Sequence, residues 1–278
     1  GAAITTGTGN TFIGSQAGDA NTTASHNTAV GFSALGANTT GTNNVAVGKD
    51  ALDACTTGSQ NTAVGGGALT TNTTGANNTA FGYLAGASAT TGQENTFIGK
   101  RAGYLNSSGS ANTYIGLDAG YTNLTSGYNV AIGTNALKLN VTQGNIAVGS
   151  YVLQSSTSGT GNIGIGSYDA NGTPGALFAN TTGSHNVAMG VLALGANTTG
   201  YQNVAIGYQA LASNTTGLNS TAIGLNAGNA AVSGNGNIFV GKDSGITGSP
   251  GGSIAGSTGN TLVVGDENIS ACHIQTDW

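Results

Sequence analysis

The sequence predicts an all-β protein, a parallel β-solenoid of about fifteen coils with about seventeen residues in each coil. A motif of five residues, Asn-(Thr/Val)-(Ala/aromatic)-(Val/Ile)-Gly, recurs along the whole chain. Its closing glycine advances by the same distance in most steps, as from Gly31 to Gly48 and from Gly48 to Gly65. The 278 residues include 50 Gly but only 2 Pro, 5 Lys and Arg, and 10 Asp and Glu, which fits neither an ordinary globular domain nor a disordered chain. A strict period of this kind indicates coils that stack on their neighbours.

The closing glycines define the array and its length. They lie at positions 14, 31, 48, 65, 82, 99, 116, 133, 149, 166, 190, 207, 224, 241 and 265. The step from 133 to 149 is one position shorter than the common step, and the steps from 166 to 190 and from 241 to 265 are seven positions longer. With coils about 4.8 Å apart, the fourteen steps predict a rod in which the first and last of these glycines are roughly 67 Å apart. We assign residues 1–265 to the array and 266–278 to a non-repetitive exit segment.

The motif forms the strand of each coil. An apolar residue precedes every closing glycine, and Thr, Val, Ile or Leu stands two places earlier, as in Thr28 and Val30. Alternate side chains of a strand share a face, and we expect this pair to line the interior. The residue between them is usually Ala but is aromatic in Phe12, Phe97, Tyr114 and Phe239. We expect this second apolar face to point outward and to be covered by another copy of the chain.

An Asn opens the motif in nearly every coil. The residues that we single out are Asn27, Asn44, Asn61, Asn78, Asn95, Asn112, Asn129 and Asn203. Stacked Asn side chains can form a structural hydrogen-bond ladder from coil to coil, or each Asn can serve only to form a turn, and both readings stay open.

The rest of the coil reads as a return strand and a closing turn. Three residues after the glycine comes Ala-Leu or Ala-Gly, as at Ala34 and Ala102, which we interpret as the return strand. The sequence Asn-Thr-Thr-Gly, as in residues 38–41, then closes the coil, because Asn and Gly favour turns.

The composition argues against several functions. A net charge of −5 and five mostly scattered Lys and Arg residues do not fit a nucleic-acid surface. No apolar run approaches the roughly 20 residues that span a bilayer. Cys55 and Cys272 read as small apolar residues, and no carboxylate pair, metal motif or phosphate loop is recognisable. We therefore expect no catalytic residue, no metal and no cofactor.

The two long steps each insert about seven residues, within 167–176 and 244–256. Loops on a rigid scaffold can carry recognition, although many insertions are merely tolerated. The possible recognition residues there are Tyr168, Asn171, Pro174, Phe178, Ile246 and Pro250. For the tyrosines in general we favour packing between coils or chains over stacking on sugars.

The repeats and the last residues resemble two groups of proteins. The Asn-x-Ala-Ile-Gly strand, as in residues 203–207, is similar to the head repeats of trimeric autotransporter adhesins. Residues 259–265, running into 272–278, resemble the segment before the endosialidase-type intramolecular chaperone of phage tail fibres and spikes. This resemblance implies a homotrimer, an autocatalytically removed chaperone, and a processed terminus at Trp278 that leaves a trimer unable to refold.

These observations lead to three functional hypotheses. The first is a non-enzymatic structural shaft or tip of a viral tail fibre, located on the virion and presenting a surface to a host glycan or protein receptor. The second is a bacterial surface adhesin head or an extracellular filament. The third is an ice-binding solenoid, suggested by the Thr rows at 22, 39, 56 and 73 and at 23, 40, 57 and 74. Adjacent Thr residues point to opposite sides of a strand, which disfavours the third.

Overall fold

The computed structural model describes residues 4–168, 171–246 and 259–265. Within them lie fifteen β-strands of three residues each and no helix. The strands are β1 (Thr11–Ile13), β2 (Thr28–Val30), β3 (Val45–Val47), β4 (Thr62–Val64), β5 (Thr79–Phe81), β6 (Thr96–Ile98), β7 (Thr113–Ile115), β8 (Val130–Ile132), β9 (Ile146–Val148), β10 (Ile163–Ile165), β11 (Val187–Met189), β12 (Val204–Ile206), β13 (Thr221–Ile223), β14 (Ile238–Val240) and β15 (Leu262–Val264). The predicted parallel β-solenoid is confirmed.

All fifteen strands form one parallel sheet in chain order. Equivalent positions pair throughout: Ala29 of β2 lies beside Ala46 of β3. The register also survives the first long step, because Gly164 of β10 still pairs with Ala188 of β11. The inserted residues therefore lie outside the sheet and do not change the register of its strands.

A glycine forms the corner after each strand. Gly31 has φ +136°, and a Cβ built on it would lie 2.5 Å from the carbonyl oxygen of Gly48 in the next coil. A side chain would therefore meet rigid backbone as well as an unfavourable φ, which explains why glycine recurs at every corner.

The predicted return strand is wrong. The segment that holds Ala34 and Leu35 consists of turns, and Leu35 has φ +54°. The equivalent Leu52 and Leu69 have φ +51°. A run that enters the left-handed region at alternate residues folds sharply and cannot extend as a strand. Each described coil consequently contains one strand and a series of turns.

The predicted assignment of the two strand faces is also wrong. The central residues, such as Ala63 and Ala205, are fully buried inside the coil, whereas Val64 is half-buried and Ile132 is exposed on the outside. The coil is narrow, and the interior beside the strand is already filled from the opposite turn. Two β-branched side chains per strand would not fit there, but one methyl group does.

In most coils the side chains of the strand centre and the facing turn share the interior, so that a small residue at one position accompanies a larger one at the other. Where the centre is Ala, the turn usually supplies a buried Leu, such as Leu35 or Leu69. Opposite Ala80 and Ala222 the turn instead has Gly86 and Gly228, and the Phe97 and Phe239 rings of the next coils occupy that space. Where the centre is Phe97, the turn supplies Gly103, and a Cβ there would lie 2.4 Å from the Phe97 ring. Tyr114 and Gly120 repeat this arrangement, because a Cβ on Gly120 would lie 2.5 Å from the Tyr114 ring.

The four aromatic strand centres therefore pack inside the coils and do not point to a second copy. Three of them are fully buried, and Phe12 packs against the core. The Tyr114 hydroxyl donates to Asn112 Oδ1 at 3.1 Å and accepts from Asn123 Nδ2 at 2.5 Å. Burial raises the pKa of this phenol above its ordinary value.

Candidate functional site

The outer face of the sheet is formed by the two residues that flank each buried strand centre. One row precedes the corner glycines: Ile13, Val30, Val47, Val64, Phe81, Ile98, Ile115, Ile132, Val148, Ile165, Met189, Ile206, Ile223, Val240 and Val264. The second row lies two residues earlier: Thr11, Thr28, Val45, Thr62, Thr79, Thr96, Thr113, Val130, Ile146, Ile163, Val187, Val204, Thr221, Ile238 and Leu262. None of these thirty positions carries a charge.

The outer face is open to solvent along the whole sheet. Exposed fractions reach 65% at Leu262 in the last strand, are 57% at Phe81, and stay near 37% at Ile132 and Ile206 in the middle of rows. Its length is about 67 Å, and two rows of side chains make it about 10 Å wide, so its area is about 700 Å². Seven of the thirty positions are Thr, all in the second row, and the other twenty-three are apolar. The largest apolar patch on a typical monomer is about 300–600 Å² and often functional.

In some coils a third residue, just past the corner glycine, widens the outer face. Exposed apolar side chains at this position are Phe32, Tyr83, Leu117, Tyr208 and Leu225. Other coils place Lys49, Lys100 or Lys242 there. This third row is therefore mixed, with lysines in some coils and exposed apolar side chains in others.

The motif Asn residues form a buried ladder. Asn27 Oδ1 accepts from the backbone N–H of Asn44 at 2.9 Å, and Asn44 Oδ1 accepts from that of Asn61 at 2.9 Å. The Asn61 amide also donates to the Gly75 carbonyl at 2.9 Å, which ties the strand entry to the turn that closes the same coil. The same contacts involve Asn78, Asn95, Asn112, Asn129 and Asn203. Asn186 extends the ladder across the insertion by donating to Asn162 Oδ1 at 3.0 Å.

A second buried Asn row lies at the closing turns, where sequence reasoning recognised only turn formers. Asn38 donates to Asn21 Oδ1 at 2.8 Å, and Asn197 donates to Asn180 Oδ1 at 2.7 Å. The period of the repeat alone could have indicated this row, because a residue that recurs in a solenoid stacks on its copies.

Cys55 interrupts the second Asn row. It is buried, its thiol lies 3.5 Å from the Gly58 carbonyl, and burial raises its pKa to about 11. Asn38 Oδ1, in the coil before Cys55, has no hydrogen-bond partner. Neither polar side-chain atom of Asn72 has one, because in this row Asn72 lies between Cys55 and the buried Ala89. A thiol cannot replace an amide in this row, so Cys55 marks a weak point of the rod.

The strongest ionic contact on the rod joins neighbouring coils. Arg101 donates to both carboxylate oxygens of Asp118, at 2.8 and 2.7 Å, and Lys138 lies 3.6 Å from the same carboxylate. The Tyr104 and Tyr121 rings stack beside it with centroids 5.1 Å apart, and Arg101 lies 5.4 Å from the Tyr121 centroid. These charged and aromatic side chains pair with one another along the rod axis, as expected where equivalent positions of neighbouring coils are stacked.

The described loop residues remain close to the coils. Tyr168 and Asn171 belong to the first insertion, and Pro174 rejoins the coil by accepting from the Leu192 N–H at 3.1 Å. Tyr168 packs on Tyr151 with centroids 5.0 Å apart, Asn171 is exposed, and Phe178 is half-buried beyond the insertion. Ile246 is half-buried, at the start of the second insertion. Pro250, Trp278 and the exit segment 266–278 lie outside the described residues.

Reactive groups are sparse in the part of the chain that the structure describes. No three His, Cys, Asp or Glu side chains there are placed to hold a metal ion. A shallow groove of about 300 Å³ is lined by Asp19 and Asp53, on either side of Gly36. Partial burial, and then the nearby charge of Asp50, raises the pKa of Asp53. Two carboxylates without a third ligand or an oriented partner do not form a catalytic or metal centre.

No protein-family model matches the chain, and neither does any curated protein. Among the described residues no helix is long and apolar enough to cross a membrane.

Proposed function

We propose that this chain is a non-enzymatic structural rod of an extracellular fibre, assembled as a homotrimer and displaying a receptor-facing surface. The observation that carries the proposal is the coil-to-coil ladder: buried amides, backbone groups and apolar side chains are all used to stack one coil on the next. Such a design gives a stiff rod with a repeating surface, which suits reach and display more than catalysis.

The viral form of the proposal is a tail-fibre shaft or tip on the virion, followed by a removable chaperone. It rests on the resemblance of residues 259–265 and 272–278 to the chaperone-preceding segment. The alternative, a bacterial adhesin head or filament subunit on the cell surface, rests on the similarity of the strand motif to adhesin heads. Host glycans or proteins are the partners proposed for either form.

The ice-binding alternative loses part of its support. The Thr39 hydroxyl donates to the Thr56 carbonyl at 3.0 Å, and Thr56 and Thr73 repeat this bond with the following coils at 3.1 Å. The hydroxyls of this row are therefore engaged within the rod and do not form a free array for ice. A thermal hysteresis assay on the purified chain separates this function from the fibre.

The fibre proposal is tested by antibodies against the rod, applied with gold labels to virions and cells of the source. Gold on slender tail appendages supports the viral form, and gold on the cell envelope supports the adhesin. Gold confined to the cell interior contradicts both. Sedimentation equilibrium of the purified chain should give a mass near three times 26.8 kDa.

A further inference from the structure

We infer that the outer face of the sheet is the surface through which copies of this chain pack together. The inference rests on the proposed homotrimer and names its interface. It replaces the Ala and aromatic strand centres, which the sequence prediction assigned to this contact and which are buried inside each coil.

The area of the outer face is the first argument. About 700 Å² of open sheet approaches the 800 Å² or so that each partner contributes to a stable protein interface. The residues past the corner glycine, such as Phe32 and Tyr208, extend it further. A scattered set of exposed apolar residues would need no explanation, but a continuous strip from β1 to β15 does.

The absence of charge is the second argument. The chain has 15 ionisable Lys, Arg, Asp and Glu residues, as 5 plus 10, yet none falls on the thirty positions of the outer face. Edge strands and open sheet surfaces of soluble proteins usually carry charges that prevent association. Lys49, Lys100 and Lys242 lie one residue past the corner glycine, beside the outer face and not on it.

The repeat identifies the occupant. Side chains on the outer face recur once per coil, about every 4.8 Å, over fifteen strands. A surface of matching pitch and length is most simply another copy of the same solenoid, whose rows can interdigitate along the full length. An unrelated globular partner would cover only a few coils.

Cyclic symmetry fixes the arrangement of the copies. In a closed homotrimer every chain runs in the same direction and equivalent residues lie at the same height. The outer faces then meet around the symmetry axis, with Phe81 of each copy at one level and Met189 at another. These larger side chains stand among rows of mostly Val and Ile and therefore favour the in-register assembly over one shifted by a whole coil.

The test compares thiol labelling at two positions of the full chain. Cys272→Ser removes one native thiol, and Cys55 is buried. In this background Val64→Cys places a thiol on the outer face, and Thr74→Cys places one on the exposed turn that closes the same coil. Maleimide labelling at position 64 should be slower than at position 74 by roughly 100-fold, because access requires opening of the interface. The denatured variants should react at equal rates.

A second measurement guards against a folding artefact. Val64→Asp should retain the β-sheet circular dichroism signal but sediment as a monomer, because the side chain lies outside the coil. The matched Thr74→Asp should stay oligomeric. An oligomer in which both positions label equally fast would overturn the interface and leave the fibre proposal standing. A wild-type monomer with fast labelling at both positions would overturn the interface and the homotrimer together.

Discussion

The interior packing predicts that side-chain volume lost at a strand centre can be replaced by a larger side chain on the facing turn. Phe97→Ala should lower the free energy of unfolding by about 3–5 kcal/mol, because Gly103 and Gly86 beside the ring cannot fill the cavity. Gly103→Leu alone should also destabilise, because its Cβ would lie 2.4 Å from Phe97.

The double variant Phe97→Ala/Gly103→Leu should recover most of the loss. It recreates the pairing of Ala with Leu that other coils use, and Leu already tolerates this backbone, with φ +54° at Leu35 and +49° at Leu211. Some cavity remains beside Gly86, so the recovery should be incomplete. The coupling between the two substitutions should be about 2–3 kcal/mol in the stabilising direction.

Urea unfolding followed by circular dichroism measures all four members of this cycle. Gly120→Leu in the Phe97→Ala background is the matched control, because Gly120 faces Tyr114 in the next coil. It should not rescue. If the effects of Phe97→Ala and Gly103→Leu on the free energy of unfolding are additive, or if Gly120→Leu rescues equally well, the proposed compensation of side-chain volume within a coil is refuted.

Three further outcomes follow from the interior. Cys55→Asn should raise the free energy of unfolding by about 1 kcal/mol relative to Cys55→Ala, because it offers partners to Asn38 and Asn72; an equal urea midpoint for the two variants would contradict this. The folded pKa of Cys55 is raised from 9.0 to about 11, so the neutral thiol is favoured and its contribution, complete below pH 9, should be lost as pH rises towards 11. Cys55→Ala should lack this loss, and parallel pH profiles of the two proteins would count against it. Ala205→Asp should prevent folding, because a charge inside the coil has no partner, while Thr199→Asp on an exposed turn should not; a normal circular dichroism spectrum for Ala205→Asp would show the interior assignment to be wrong.

The repeat made much of the fold predictable from the sequence. The constant spacing of the motif gives the number of coils and the parallel order, and the position of the corner glycine gives the register of every strand. These properties follow from identity between coils, so no knowledge of side-chain packing is required.

The direction of each side chain could not be read from the same pattern. In Thr28-Ala29-Val30 both faces are apolar, and the usual rule places the larger residues in the core. The decisive signal lies elsewhere in the coil: Leu faces Ala, as Leu35 does Ala29, and Gly103 faces Phe97. Reading these two positions together would have placed the strand centre inside, because only residues that share a cavity compensate for each other's volume.

The rod itself is tested most directly by distances between spin labels along one row. Ser15, Gly66, Thr134 and Lys242 follow the corner glycines of coils 1, 4, 8 and 14. Pairs of labels that share Ser15, diluted with unlabelled chain to suppress contacts between copies, should give distances that grow linearly by about 4.8 Å per coil, to roughly 62 Å for Lys242. Distances that level off as the number of coils increases would contradict the solenoid.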